Sequence, residues 1–135
     1  QKNKSSNILN VASMLAGVPT PYKALYAASK TYIRNISIAL SYELEASGVG
    51  VSVLITGASP TNEIVKDQIK NGALAARITA MAPEDIAKIS IDKALSGKRI
   101  ITTGFKNKLI MNFIASLPYS VLSKVSINQY LKLNK

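Results

Sequence analysis

The hydrophobic and polar positions follow three rhythms along the chain. Residues 7–11, Asn-Ile-Leu-Asn-Val, make a short apolar run of strand-forming residues between polar neighbours, which predicts a buried, central parallel strand. Residues 49–55 are β-branched and nearly continuously apolar, which predicts a second buried strand. Between the two, Leu25, Ile33, Ile36, Ala39, Leu40 and Leu44 recur at intervals of three and four, predicting a long helix over about 24–46, with Gly48 as its stop. Pro83-Glu84-Asp85 reads as the acidic first turn of a further helix that runs to about Ser96 and ends at Gly97, followed by a third strand over 99–103.

The intervening segments are punctuated differently. Gly17, Pro19 and Pro21 break any regular element across residues 12–22, which therefore form a loop. Residues 62–79 are expected to be a second variable loop, and with residues 14–22 they are the expected lining of a substrate pocket, whose apolar content hints at a hydrophobic ketone or alcohol. Beyond Gly104, apolar residues alternate with Lys and Ser on either side of Pro118, predicting two short amphipathic helices within 106–135.

Strands separated by helices predict an α/β fold with a doubly wound parallel sheet and right-handed crossovers. Three strands are few for that class, so the sheet is expected to be an incomplete, C-terminal portion. The 135 residues, 47% hydrophobic, fit one domain or less, and the polar opening Gln1-Lys2-Asn3-Lys4 is consistent with a missing upstream segment. Residues 1–104 are expected to be the catalytic half of the domain and 105–135 a C-terminal helical segment of it.

Composition removes several chemistries. With no cysteine and no histidine, disulfides, Cys/His zinc sites and a Ser-His-Asp triad are excluded from this chain, and no metal site is expected. A formal charge of +10 would suit nucleic acid, but aromatic content is only 6% and no basic helix or stacking platform is visible, so no nucleic-acid partner is expected. Residues 98–135 hold seven Lys/Arg and no acidic residue. Their favoured reading is cover for the substrate pocket or a subunit contact, with peripheral membrane contact near a lipid-like substrate as the alternative. No apolar run is long enough to span a bilayer.

Tyr26 and Lys30 lie four residues apart, one turn apart on the same face of the predicted helix. A cation beside a phenol favours the phenolate, which makes the pair suitable for proton transfer. The spacing alone is weak: with six tyrosines and fourteen lysines, about 0.6 such matches arise by chance. The surroundings are more specific. Ile8-Leu9-Asn10-Val11-Ala12-Ser13, then Tyr26-Ala27-Ala28-Ser29-Lys30, then Thr56-Gly57-Ala58-Ser59-Pro60-Thr61 stand in the order and spacing of the short-chain dehydrogenase/reductases, and this chain resembles that family. The resemblance continues through Met81-Ala82-Pro83-Glu84-Asp85-Ile86-Ala87 to Gly104, about three quarters of the chain. Thr56 stands where the family has proline, and Ser59 where it often has Val or Ile.

The resemblance implies a Rossmann-like fold, NADP or NAD as cofactor, and a small-molecule carbonyl or alcohol substrate. Ser13 would hydrogen-bond the substrate carbonyl, Tyr26 would be the acid/base, and Lys30 would bind the nicotinamide ribose while assisting Tyr26. Gly57, Ser59 and Thr61, with Tyr26 and Lys30, would contact the cofactor. A homo-oligomer and a cytoplasmic, at most membrane-peripheral, location are the matching expectations. The family's glycine-rich phosphate turn is not found, since the only Gly-x-Gly, Gly48-Val49-Gly50, precedes a strand. The 135 residues alone are therefore expected to be poorly folded and inactive. Three other readings remain: a binding protein that retains the reductase scaffold, a sugar-nucleotide epimerase or dehydratase, for which the C-terminal part is too short, and a Ser-Lys hydrolase through Ser90 and Lys93, which lacks its companion motifs.

Overall fold

A computed structural model describes residues 6–71 and 74–133. The elements run β1 (Ser6–Val11), α1 (Ala24–Glu43), a single 3₁₀ turn (Glu45–Ser47), β2 (Val49–Ile55), α2 (Glu63–Asn71), α3 (Leu74–Thr79), α4 (Pro83–Leu95), β3 (Ile100–Thr102), α5 (Phe105–Ala115) and α6 (Tyr119–Leu133). All strand pairing among the described residues is parallel, in the order β1-β2-β3. Each strand-to-strand connection carries helices, as parallel pairing requires.

The register explains the two layers of helices. Val11 pairs with Leu54 and Leu54 with Ile101, so these three share one face; Asn10, Val53 and Ile100 share the other. On the first face Leu54 and Ile101 meet Ile86 and Ala94 of α4 in the buried core, with Leu9 and Met81 at its edge. Full burial of a side chain such as Ile101 contributes about 1.5–3 kcal/mol. α1 covers the second face, where the Asn10 amide donates to Ser37 Oγ at 2.9 Å. The sheet is thus wound on both sides, as the alternation of strands and helices predicts.

Both helix-to-strand stops use the same device. Gly48 and Gly97 take left-handed φ values of 72° and 80°, and the residue after each donates back five residues, Val49 N to Leu44 O and Lys98 N to Lys93 O. This closes the last helical turn and releases the chain into the next strand; a side chain at either glycine would be strained in that conformation. Proline at the start of α4 needs no donor there, and Glu84 and Asp85 put negative charge into the first turn, where the helix dipole favours it.

Among the described strands β1 lies beside β2 alone, and its Ile8 and Val11 are nearly half exposed. Three expectations change. Residues 63–71 and 74–79 are helical rather than loop, with Asn62 Oδ1 accepting the Val65 N–H at 2.9 Å to start α2, although the segment lacks the long apolar repeat that marks α1. The buried side of α1 is made by Ala27, Ser37 and Ser41, while Leu25 is 89% exposed and Ile36 also faces outward. Small side chains let the helix approach the sheet closely, so the apolar repeat gives the helix without giving its buried face. Finally, α5 and α6 flank Pro118 as expected, but α5 is apolar on two sides rather than one. Residues 134–135, the end of the predicted final helix, lie outside the described residues. No described helix is long and apolar enough to cross a membrane.

Candidate active site

The site lies at the C-terminal ends of β1 and β2, where open α/β sheets receive their ligands. Pairing of the two strands continues past their ends: Ala12 N donates to Leu54 O at 2.8 Å and Met14 N to Thr56 O at 3.0 Å. Ser13 is held between these bonds. Extending the register from Val11 and Leu54 by two residues sets Ser13 beside Thr56, next to Gly57. Ser13 Oγ accepts the Leu15 N–H at 3.2 Å, which uses an acceptor position and leaves the hydroxyl proton free to be donated.

Tyr26 and Lys30 are presented by the first two turns of α1. Lys30 Nζ donates to the carbonyl of Val11 at 3.1 Å, two residues before Ser13, and stands 5.7 Å from the centroid of the Tyr26 ring. The helix that carries the pair is therefore pinned to the strand that carries the serine. An ammonium has three N–H groups, so two remain for other acceptors. Tyr26 is 47% exposed, open to an incoming molecule.

The loop between Ser13 and Tyr26 is built rather than slack. Met14, Ala16 and Val18 are buried, and Gly17 N donates to Thr31 Oγ1 at 2.8 Å, fastening the loop to α1. Gly17 takes a φ of 89°, which suits glycine. Tyr22 is the one non-glycine residue with positive φ among the described residues, at 65°, a conformation that costs a bulky residue of order 1–3 kcal/mol. Its ring stacks on that of Tyr130 in α6, with centroids 4.1 Å apart and planes within 12°. An open cleft of about 500 Å³ lies beside this loop, lined by Val18, Pro19, Pro21, Ala24, Ala28 and Tyr119 among others.

Of the expected cofactor-contacting residues, Gly57, Ser59 and Thr61 follow β2 directly. A Cβ placed on Gly57 would lie 2.5 Å from Thr79 O and 2.7 Å from Thr79 Cβ, so glycine is required by the close approach of the end of α3. Ala58 O accepts the Met81 N–H at 3.1 Å, which fixes the same approach. Ser59 Oγ is buried without a hydrogen-bond partner, and Thr61 is exposed. A buried hydroxyl left unpaired is an open position for a polar ligand atom.

Two positioning residues escaped the sequence reading. Thr79 closes on Gly57, and Asn107, almost fully buried in α5, donates from Nδ2 to Thr79 O at 3.1 Å. Neither carries a motif; an asparagine among apolar and basic residues gives no signal until the tertiary fold buries it. Asn107→Leu keeps the branched shape and removes the bond, so a loss of about 1 kcal/mol in unfolding free energy is expected, measured by urea denaturation. Ser90, by contrast, is buried with its hydroxyl donating to Ala87 O at 3.0 Å, whereas Lys93 is exposed. That places Ser90 in the interior and separates it from the lysine a hydrolase would need.

A family model for short chain dehydrogenase matches residues 1–72. The chain belongs to the short-chain dehydrogenase family. It is 34% identical over 89 residues to the sulfoacetaldehyde reductase of Chromohalobacter salexigens, covering 63% of this chain and 35% of that protein. It is 38% identical over 55 residues to the very-long-chain 3-oxoacyl-CoA reductase of Neurospora crassa, covering 41% of this chain and 17% of that one. The aligned stretches thus span well under half the length of either relative. Among solved structures, a 7β-hydroxysteroid dehydrogenase superposes with a TM-score of 0.73 at 22% identity, over 89% of this chain and 47% of its own. That likeness bears out the Rossmann-like, doubly wound architecture of the short-chain dehydrogenase fold.

Proposed function

We propose that this short-chain dehydrogenase chain carries the proton-transfer part of an NAD(P)-dependent oxidoreductase that interconverts a carbonyl and an alcohol on a small molecule. The observation that carries the reading is the Lys30–Val11 hydrogen bond, which docks the Tyr26–Lys30 pair onto the strand end that leads into Ser13. Nothing in a purely structural role for Lys30 requires a half-exposed tyrosine beside it.

In this reading the Tyr26 phenol holds the transferable proton at Oη and gives it to the carbonyl oxygen in the reducing direction, or takes it back in the oxidising one. Ser13 donates its hydroxyl proton in a hydrogen bond to the same oxygen, orienting it and stabilising the negative charge that grows there. Lys30 has two N–H groups left for the hydroxyls of a nicotinamide ribose, and its ammonium, 5.7 Å from the centroid of the Tyr26 ring, assists that residue. A bound nicotinamide supplies or accepts the hydride. The residues present fit its reactive end: Ser59 Oγ is an unpaired buried hydroxyl, Thr61 is an exposed one, and Gly57 holds the segment where both begin. In the same reading residues 1–104 are the catalytic half that supplies these groups and 105–135 a helical segment of the same domain, which the hydrogen bond from Asn107 to Thr79 supports.

The test is steady-state turnover of the full-length protein with a panel of aldehydes and ketones, followed by loss of reduced-nicotinamide absorbance. Ser13→Ala is expected to lower kcat about hundredfold, as removal of a single donor at a developing oxyanion does, with melting temperature unchanged because the Leu15 contact is a minor one. Turnover in the Ser13→Ala variant equal to that of the wild type would remove Ser13 from the site.

A further inference from the structure

The helix α5 packs against α3 and β3, with Asn107 buried and Ile110, Met111 and Ile114 half-buried on that side. Its opposite side is also apolar. Phe105, Leu109 and Phe113 are 76%, 53% and 65% exposed, and the two phenylalanines are the only ones in the chain. Residues four apart drift by only about 40° around a helix, so the three form one slanted stripe along almost the whole length of α5. Lys106 and Lys108, both exposed, fall on its two flanks. An apolar helix face is stabilised by a partner that covers it, and the outer face of α5 has none among the described residues.

Charge narrows what that partner is. Residues 98–135 hold seven Lys/Arg and no Asp or Glu, so the surface around the stripe is cationic without internal compensation. A two-fold contact with a second copy would bring the Lys106 and Lys108 flanks together with no acidic residue on either α5 or α6 to offset them. An anionic surface meets no such penalty. The stripe is convex, on a helix of 11 residues, too short to span a bilayer but suited to lie along one.

We propose that α5 rests the protein on an anionic lipid surface. Phe105, Leu109 and Phe113 enter the boundary between headgroups and acyl chains, while Lys106 and Lys108 extend outward on both flanks to the lipid phosphates. This surface is separate from the Tyr26 site and does not depend on the proposed catalysis.

The experiment is co-sedimentation of the full-length protein with vesicles of phosphatidylcholine alone and of phosphatidylcholine mixed with phosphatidylglycerol. Binding is expected only to the anionic vesicles, and to be weakened by high salt, which shortens the range of the lysine attraction to a few ångström. The double variants Phe105→Ser/Phe113→Ser and Lys106→Gln/Lys108→Gln are each expected to lower the partition constant by about tenfold or more. Absence of pelleting with anionic vesicles overturns the proposal, as does pelleting that neither pair of substitutions changes. A Phe→Ser variant whose melting temperature drops would show that the face is covered by the protein's own chain, and one that converts a dimer to a monomer in sedimentation velocity would show a second copy there; either result also overturns it.

Discussion

Tyr26→Phe in the full-length protein is expected to lower kcat by about 10²–10⁴, the range for loss of a positioned general acid, with little change in KM or melting temperature. The substitution removes one oxygen and its proton and nothing else. The ring survives, and with it the Lys30 contact 5.7 Å from the ring centroid. The Lys30–Val11 bond survives too, since it does not involve the phenol. A large fall in turnover with an intact fold therefore reports on the proton alone. Steady-state kinetics in both directions, with circular-dichroism melting as the control, makes the measurement. Wild-type turnover in the Tyr26→Phe variant would show that the scaffold serves binding without proton transfer from this tyrosine.

The second large effect is expected at a residue with no side chain. Gly57→Ala places a methyl group 2.5 Å from the Thr79 carbonyl oxygen and 2.7 Å from Thr79 Cβ, well inside van der Waals contact with backbone. Thr79 cannot simply swing away, because the Asn107 amide holds its carbonyl and the next turn is tied through Met81 N to Ala58 O. The β2 end and the α3 end must then move apart, at a cost of about 1–3 kcal/mol, as in other overpacked sites. The same movement displaces Ser59 and Thr61. A melting temperature several degrees lower, together with weaker binding of reduced nicotinamide cofactor measured by its fluorescence, is the expected result. A variant with unchanged melting temperature would show that the contact at Gly57 relaxes without cost.

The two effects differ in what made them legible. Tyr26 and Lys30 are one helical turn apart, so their common face follows from 3.6 residues per turn and is present in the sequence once the helix is recognised. Ser13 and Gly57 could be placed by their position after two recognisable strands. Thr79 and Asn107 could not, because nothing local marks them. The bond between them joins residues 28 apart along the chain, and burial of Asn107 is decided by how α5 lies against α3. The Tyr22–Tyr130 stack is another such case: the positive φ of Tyr22 is held by a ring from the far end of the chain.

The helices show the same division from another side. The glycines at 48 and 97, the proline and acids at the start of α4, and the β-branched run of β2 determine where those elements begin and end, because capping and strand preference act over a few residues. Which face of α1 is buried was beyond that reach. Its apolar repeat points toward Leu25 and Ile36, yet Ala27, Ser37 and Ser41 meet the sheet, since close packing over Asn10 favours small side chains there. Position in the sheet is a property of neighbours as well, so the apolar run of β1 specifies a strand without specifying which strands pair with it. By itself, then, the sequence determined the three strands, the helices α1, α4, α5 and α6, their order, and the spacing of Ser13, Tyr26 and Lys30, but not α2 and α3. Only the tertiary structure decided that Lys30 reaches Val11, that Thr79 closes on Gly57, and that α5 is left with an apolar face turned outward, because each depends on distances between segments that no local preference encodes.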